Sequence, residues 1–346
     1  ADHSRREGCD DGAFNGTFDL VYPYHQPYRD GHTDQDKAAF DHEAGQSELL
    51  FNLRGAEKYG LMKHVRLVWI VVSTTNFRQF GPPKGLNMSH PKVRLIDTDS
   101  FVGTRDQGGI DHQGVGYLAK TGSLHRIPEM GEWILLLHDD LLPTSEFSVD
   151  YLYDKVLKKP ILYMNLDPYI MGWCDSGKPT AMHGPWFVNK CRLAEVERRY
   201  PARFAKVRLG NNRDADPRCL YDNMAFRLGW SKILGPKDKG DHFHKFFWSC
   251  HTNGGCGLSH LNDHLYNSPL MFSNLQGPGI SDEPWYRGNI DGPRSLSVKA
   301  IAQMMRTWLR RTYPLASRFE LQQTLPHVKS AQRLMKDHPR QNDTLD

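Results

Sequence analysis

The sequence predicts an α/β protein: a mixed sheet flanked by helices, with a loop-rich C-terminal half. Three observations predict it. Val65–Val72 and Trp133–Leu137 are near-continuous apolar runs, the pattern of strands buried on both faces. Segments with helical spacing alternate with such runs, which is the layout of an α/β sheet. The second run also ends directly in His138-Asp139-Asp140. Carboxylates at the carboxyl end of a buried strand stand where α/β sheets bind their ligands.

Residues 1–17 are polar and form a loose lead-in. Phe18–Tyr22 is β-rich and predicts the first strand, and the His-, Asp- and Gly-containing stretch 23–41 reads as a loop. Over 43–59, Leu49, Leu50, Leu53, Ala56 and Tyr59 share one helical face, and Gly60 closes the helix. Strand 65–72 follows, then a loop at Gly81-Pro82-Pro83, then a strand over 93–99. A helix is predicted over 111–126, then the strand 133–137. Further helices are predicted over 189–200, stopped by Pro201, over 222–229, and over 297–312, where the helix is amphipathic and basic. Residues 235–295 are dense in Gly, His, Asn and Pro and read as loops, and 323–346 forms a tail. The organisation expected is one domain over 18–322.

Composition narrows the partners. The 346 residues are 39 % hydrophobic, enough for a substantial core, and carry a formal net charge of +4. That mild basic excess suits an anionic substrate. No basic tract with interleaved aromatics points to nucleic acid. The longest apolar run, Val65–Val72, falls far short of the roughly 20 residues of a membrane-spanning helix. Six cysteines permit disulfides without showing them, and sequons stand at Asn15, Asn87 and Asn342. A secretory compartment follows as an expectation if the source is eukaryotic, the cytoplasm if it is bacterial. Cys250, Cys256, His260 and His264, with His242, His244 and His251 nearby, have ligand types for zinc, and a Cys250–Cys256 disulfide is the competing reading.

Asp139 and Asp140 are ligand-type oxygens for a hard divalent cation, and equally residues that could open a loop and cap a helix. Their surroundings tilt the reading. Ser123-Leu-His-Arg-Ile-Pro-Glu-Met-Gly-Glu-Trp-Ile-Leu-Leu-Leu-His-Asp-Asp140 resembles a conserved block of the Stealth family of sugar-1-phosphate transferases, which includes capsular-polysaccharide phosphotransferases and a lysosomal-enzyme GlcNAc-1-phosphotransferase. In the family's order stand four further blocks: Glu48–Tyr59; His90–Phe101; His183-Gly-Pro-Trp with Pro201-Ala-Arg-Phe204 and Asn212-Arg213; and Leu258-Ser-His-Leu-Asn-Asp263. Tyr313–Glu320 resembles the family's C-terminal motif, so the resemblance covers roughly 18–322.

The resemblance implies a Rossmann-like, glycosyltransferase-A-like sheet. It implies transfer of a sugar-1-phosphate from a UDP-sugar to a hydroxyl on a glycan or glycoprotein, with release of UMP. It implies a divalent metal, Mg2+ or Mn2+, on Asp139, Asp140 and Asp263. His183 would be the general base, Arg213 would grip the transferred phosphate, and Asp140 would complete the catalytic set. Val21, Tyr22, Arg54, His125, Arg126 and Asn262 would line the donor pocket. The chain departs from the family at Pro23, where the first block's Trp and Asn-Gly are missing, and at Leu50, Thr121 and His138. Those departures keep a second reading open: a catalytically inactive nucleotide-sugar- or glycan-binding protein on the same fold.

Overall fold

The computed structural model describes residue 9 and residues 14–24, 48–72, 81–83, 85–102, 121–138, 141–163, 185–208, 217–234, 247–249, 271–274 and 309–321. In chain order the elements are β1 (Phe18–Pro23), α1 (Glu48–Lys58), β2 (Val65–Val72), β3 (Val93–Asp97), α2 (Asp99–Val102), β4 (Trp133–Leu136), β5 (Leu141–Pro143), β6 (Tyr153–Asp154), β7 (Lys159–Tyr163), β8 (Trp186–Asn189), α3 (Lys190–Arg199), α4 (Pro201–Arg208), α5 (Pro217–Arg227), β9 (Lys232–Leu234), β10 (Phe247–Ser249) and β11 (Phe272–Asn274). The protein is thus a mixed α/β structure.

The main sheet has the order β3-β2-β1-β4-β8. Its first four strands are parallel, and β8 closes the edge antiparallel to β4. Both faces are apolar because both are covered. Leu20, Tyr22, Val68, Ile70, Leu135 and Phe187 pack on one face with Leu49, Leu53 and Ala56 of α1. Val21, Trp69, Val71, Ile134, Leu136 and Val188 pack on the other with α3, α4 and α5 through Leu193, Val196, Phe204 and Met224. Two three-stranded sheets, β10-β11-β5 and β6-β7-β9, flank this layer.

Several boundaries differ from the sequence reading. The third strand ends at Asp97, because Asp97 caps a short helix: its Oδ1 accepts from Ser100 N and its carbonyl from the Ser100 hydroxyl. Within 111–126 the described part is a helical end at 121–122 and a tight turn at Leu124–Arg126. The helix expected over 222–229 starts earlier, at Pro217, where a proline suits the first turn. The helix over 189–200 runs from Lys190 with Asn189 as its cap, and Pro201 opens a second helix instead of only ending the first. Among the described residues no helix is long and apolar enough to cross a membrane.

A disulfide joins Cys9 to Cys191 across 182 residues of sequence, fastening the lead-in to the first turn of α3. Cys219 is also disulfide-bonded, and no described cysteine is free. Cys250 and Cys256, read as zinc ligands or as a disulfide pair, the histidine cluster and the Asn342 sequon lie outside the described residues.

Candidate active site

The strand order reverses between β1 and β4: β2 and β3 build to one side of β1, β4 and β8 to the other. Such a reversal leaves a crevice at the strands' carboxyl ends. Sequence chemistry opens it. Leu137 N donates to Val21 O at 3.0 Å, the last bond of the β1–β4 ladder. The next residue of β1 on that edge is Pro23, which has no N–H to give, so the ladder to β4 ends there. On the other edge β1 continues, with Tyr24 N donating to Val71 O at 2.9 Å.

One buried side chain bridges the opening. Asn52, on α1, is fully buried. Its Oδ1 accepts from the Tyr22 hydroxyl of β1 at 2.7 Å. Its Nδ2 donates to His138 O at 3.2 Å and to Leu141 O at 2.5 Å. Leu141 N in turn donates to His138 O at 3.1 Å, closing the chain over three residues. The two residues between those carbonyls in sequence are Asp139 and Asp140. An Asn is suited to this place, because one amide supplies the acceptor for a hydroxyl and two donors for carbonyls.

On the other side of β4, Trp186 at the start of β8 pairs with Leu136. The Trp186 Nε1 donates to Asp222 Oδ1 at 3.2 Å, and the Arg218 guanidinium lies 5.3 Å from the Trp186 ring centre. Arg218 and Asp222, one turn apart on α5, are both buried. Gly122 lets α5 approach: a Cβ there would stand 2.4 Å from Cγ of Pro217. The neighbouring Thr121 is fully buried.

The structure places the sequence candidates unevenly. Val21 and Tyr22 are both fully buried at the carboxyl end of β1, with Tyr22 turned to Asn52. Arg54 is gripped at both nitrogens by Glu320, at 2.7 and 2.6 Å, and also donates to Tyr313 O at 3.1 Å. His125 Nε2 donates to Glu197 Oε2 at 2.6 Å, and Arg126 donates to Oε1 of the same carboxylate at 2.5 Å. Lys190 Nζ completes this brace by donating to the carbonyls of Ile127, Pro128 and Met130; its burial lowers its pKa. The His125-Arg126-Ile127-Pro128 motif thus docks the approach to β4 onto α3. Asp139, Asp140, His183, Arg213, Asn262 and Asp263 lie outside the described residues. Among the described residues no group of three His, Cys, Asp or Glu is placed to hold a metal ion.

Asn52 and the Trp186–Arg218–Asp222 group were missed by sequence reasoning. Asn52 did carry a signal: a lone polar residue among Leu49, Leu50, Phe51 and Leu53, on a helix whose other face is charged.

No family model matches the sequence, and no curated protein matches it. Among solved structures the chain is similar to the galactosyltransferase LgtC in complex with donor and acceptor sugar analogues, with 13 % identity, 84 % of this chain and 96 % of that chain covered, and a TM-score of 0.42. It is similar also to an active-site mutant of LgtC, at 13 % identity with the same coverage, 84 % and 96 %, and a TM-score of 0.40.

Proposed function

We propose that the chain transfers a sugar-1-phosphate from a UDP-sugar to a hydroxyl of a glycan or glycoprotein, releasing UMP. One observation carries this reading: the strand that precedes the acidic pair in sequence lies at the reversal point of a parallel sheet, and a buried amide holds the carbonyls of His138 and Leu141, which flank the pair in sequence. The motifs around that point stand in the order of the Stealth family.

In this reading the acceptor oxygen attacks the phosphorus that bears the sugar. The phosphoanhydride bond breaks, and UMP leaves with the bonding pair. His183 takes the acceptor proton, as a histidine near neutral pKa can. Arg213 holds the transferred phosphoryl oxygens through a planar pair of donors. The carboxylates of Asp139 and Asp140 are hard oxygen donors of the kind that suit Mg2+ or Mn2+. With Asp263 they would hold the cation, which would neutralise the diphosphate. Tyr22 supports the crevice through Asn52, while Arg54 is paired with Glu320 and His125 and Arg126 with Glu197.

That last point favours a second reading specifically. Three side chains expected in the donor pocket, Arg54, His125 and Arg126, are committed to carboxylates, as befits a protein that binds a nucleotide sugar or glycan without turnover. Incubation with a panel of UDP-sugars, a divalent cation and glycan acceptors separates the readings. UMP release supports phosphoryl transfer. UDP release would mean that the glycosidic bond breaks instead. Saturable nucleotide-sugar binding with neither product would establish the binding protein.

A further inference from the structure

Two features lie apart from the crevice and point the same way. The first is the oxidised state of the cysteines. Cys9 and Cys191 are bonded to each other, Cys219 is bonded as well, and no described cysteine is free. Disulfides of this kind persist in oxidising compartments. The second is the geometry of the Asn15-Gly16-Thr17 sequon. Asn15 and Thr17 are both exposed, and Asn15 Oδ1 accepts two hydrogen bonds from Thr17, from its backbone N at 2.9 Å and from its hydroxyl at 2.7 Å. Among the described residues the Asn15 Nδ2 donates to nothing. Gly16, between them, adopts φ +87, and a Cβ built on it would meet nothing within 4 Å. Gly16 O is held to His64 Nδ1 at 3.0 Å, while the Asn15 and Thr17 side chains face solvent and leave room for a bulky substituent.

We infer that Asn15 is an acceptor for an N-linked glycan and that the chain folds in the oxidising compartment where such glycans are added. Two donors on Oδ1 favour the imidate-like form of the amide, in which an Nδ2 proton is more readily lost. The Nδ2 lone pair then attacks C1 of a polyprenyl-diphosphate-linked oligosaccharide. The N–C1 bond forms, the C1–O bond breaks, and the polyprenyl diphosphate leaves with that bonding pair while the amide proton passes to base. The product is a glycan on the surface. The sequon at Asn87 is a weaker acceptor by the same criteria. Asn87 is half-buried, its backbone N is tied to Phe319 O at 2.7 Å, and only the Ser89 backbone N, at 3.1 Å, reaches its Oδ1.

The test is independent of the transferase reading. The full chain is expressed through the secretory pathway of a eukaryotic cell, and its glycans are removed by peptide-N-glycosidase in heavy-oxygen water. Mass spectrometry then reads the Asn15 peptide. The expected result is conversion of Asn15 to heavy-labelled Asp in most of the protein, with Cys9 and Cys191 still disulfide-linked. Thr17→Ala abolishes the label, and Thr17→Ser, which keeps the hydroxyl, restores it. Unmodified Asn15 in secreted, disulfide-linked protein overturns the inference, as does label on Asn87 without label on Asn15. Retention of the chain with Cys9 and Cys191 reduced and alkylatable overturns it equally.

Discussion

At the scale of single residues, the crevice is held by an amide with every polar group matched. Asn52→Leu leaves the Tyr22 hydroxyl and the carbonyls of His138 and Leu141 without this partner in a buried place. Each such loss costs about 1–3 kcal/mol. The variant is expected to unfold at lower denaturant concentration and to lose most of its turnover. Tyr22→Phe removes only one donor and is expected to cost about 1 kcal/mol. Denaturation curves and initial rates on both variants check the grading. His90 supplies a pH-dependent case. Its pKa lies below the ordinary 6.5, chiefly through burial and then through the charge of Arg318. Its Nδ1 also accepts from Lys92 N at 3.1 Å, a bond that the protonated ring cannot accept. A histidine depressed in the folded state binds its proton more readily when unfolded, so stability is full above pH 6.5 and falls as pH drops through the folded pKa. Denaturation midpoints measured from about pH 7 down to about pH 5 are expected to fall, and less so in His90→Gln. None of these roles was visible as such in the sequence. Residue type shows that Asn52 or His90 is polar, and only the fold shows which carbonyls or N–H groups come within reach.

At the scale of elements, the last motif acts as a clasp. Tyr313 to Leu321 lies against α1, β5 and the 85–87 loop. Arg54 meets Glu320, the Tyr313 hydroxyl donates to Pro143 O at 2.8 Å, and Leu321 N donates to Gly85 O at 2.7 Å. Gly55 permits this closeness, since a Cβ there would stand 2.9 Å from Pro143 O and 3.0 Å from the Tyr313 ring. The Arg54–Glu320 pair is nearly buried, so removing one partner strands a charge. Glu320→Ala is expected to destabilise by about 3 kcal/mol, measured by chemical denaturation. The clasp shows what the sequence made legible and what it did not. Strands over 65–72 and 133 onward, and the apolar face of α1, follow from local pattern and were readable. The short strands β5, β9, β10 and β11 owe their pairing to distant partners such as Phe272↔Pro143, and three residues of local pattern cannot announce that. For α5 the obstacle was different. It is buried along Arg218, Cys219, Tyr221, Asp222, Met224 and Ala225, so it presents no simple apolar stripe, and its start was read five residues late.

At the scale of the whole molecule, strand order and one long cross-link organise everything else. The α/β class was legible because buried parallel strands are apolar throughout. The order 3-2-1-4 was not, because it depends on which way each connection turns. The buried strand β4 was also legible, whereas the crevice beside it needed Pro23 and Asn52 to be seen together. The Cys9–Cys191 disulfide closes a loop spanning the entire sheet, with a sequence separation of 182. Loop-closure entropy of that size is worth about 5 kcal/mol in the chain-entropy description. The double variant Cys9→Ala, Cys191→Ala is therefore expected to unfold at a markedly lower urea midpoint than the parent chain. The proposed reaction breaks a phosphoanhydride in the crevice between β1 and β4. Its most direct measurement is the nucleotide released from UDP-sugars in the presence of a divalent cation, with the parent chain and Asp140→Asn compared at matched folding. UMP is expected from the parent chain, with a loss of at least about a hundredfold in the variant, the order expected when a principal electrostatic contact in an active site is removed. UDP as the product, or UMP release unchanged in Asp140→Asn, would contradict it.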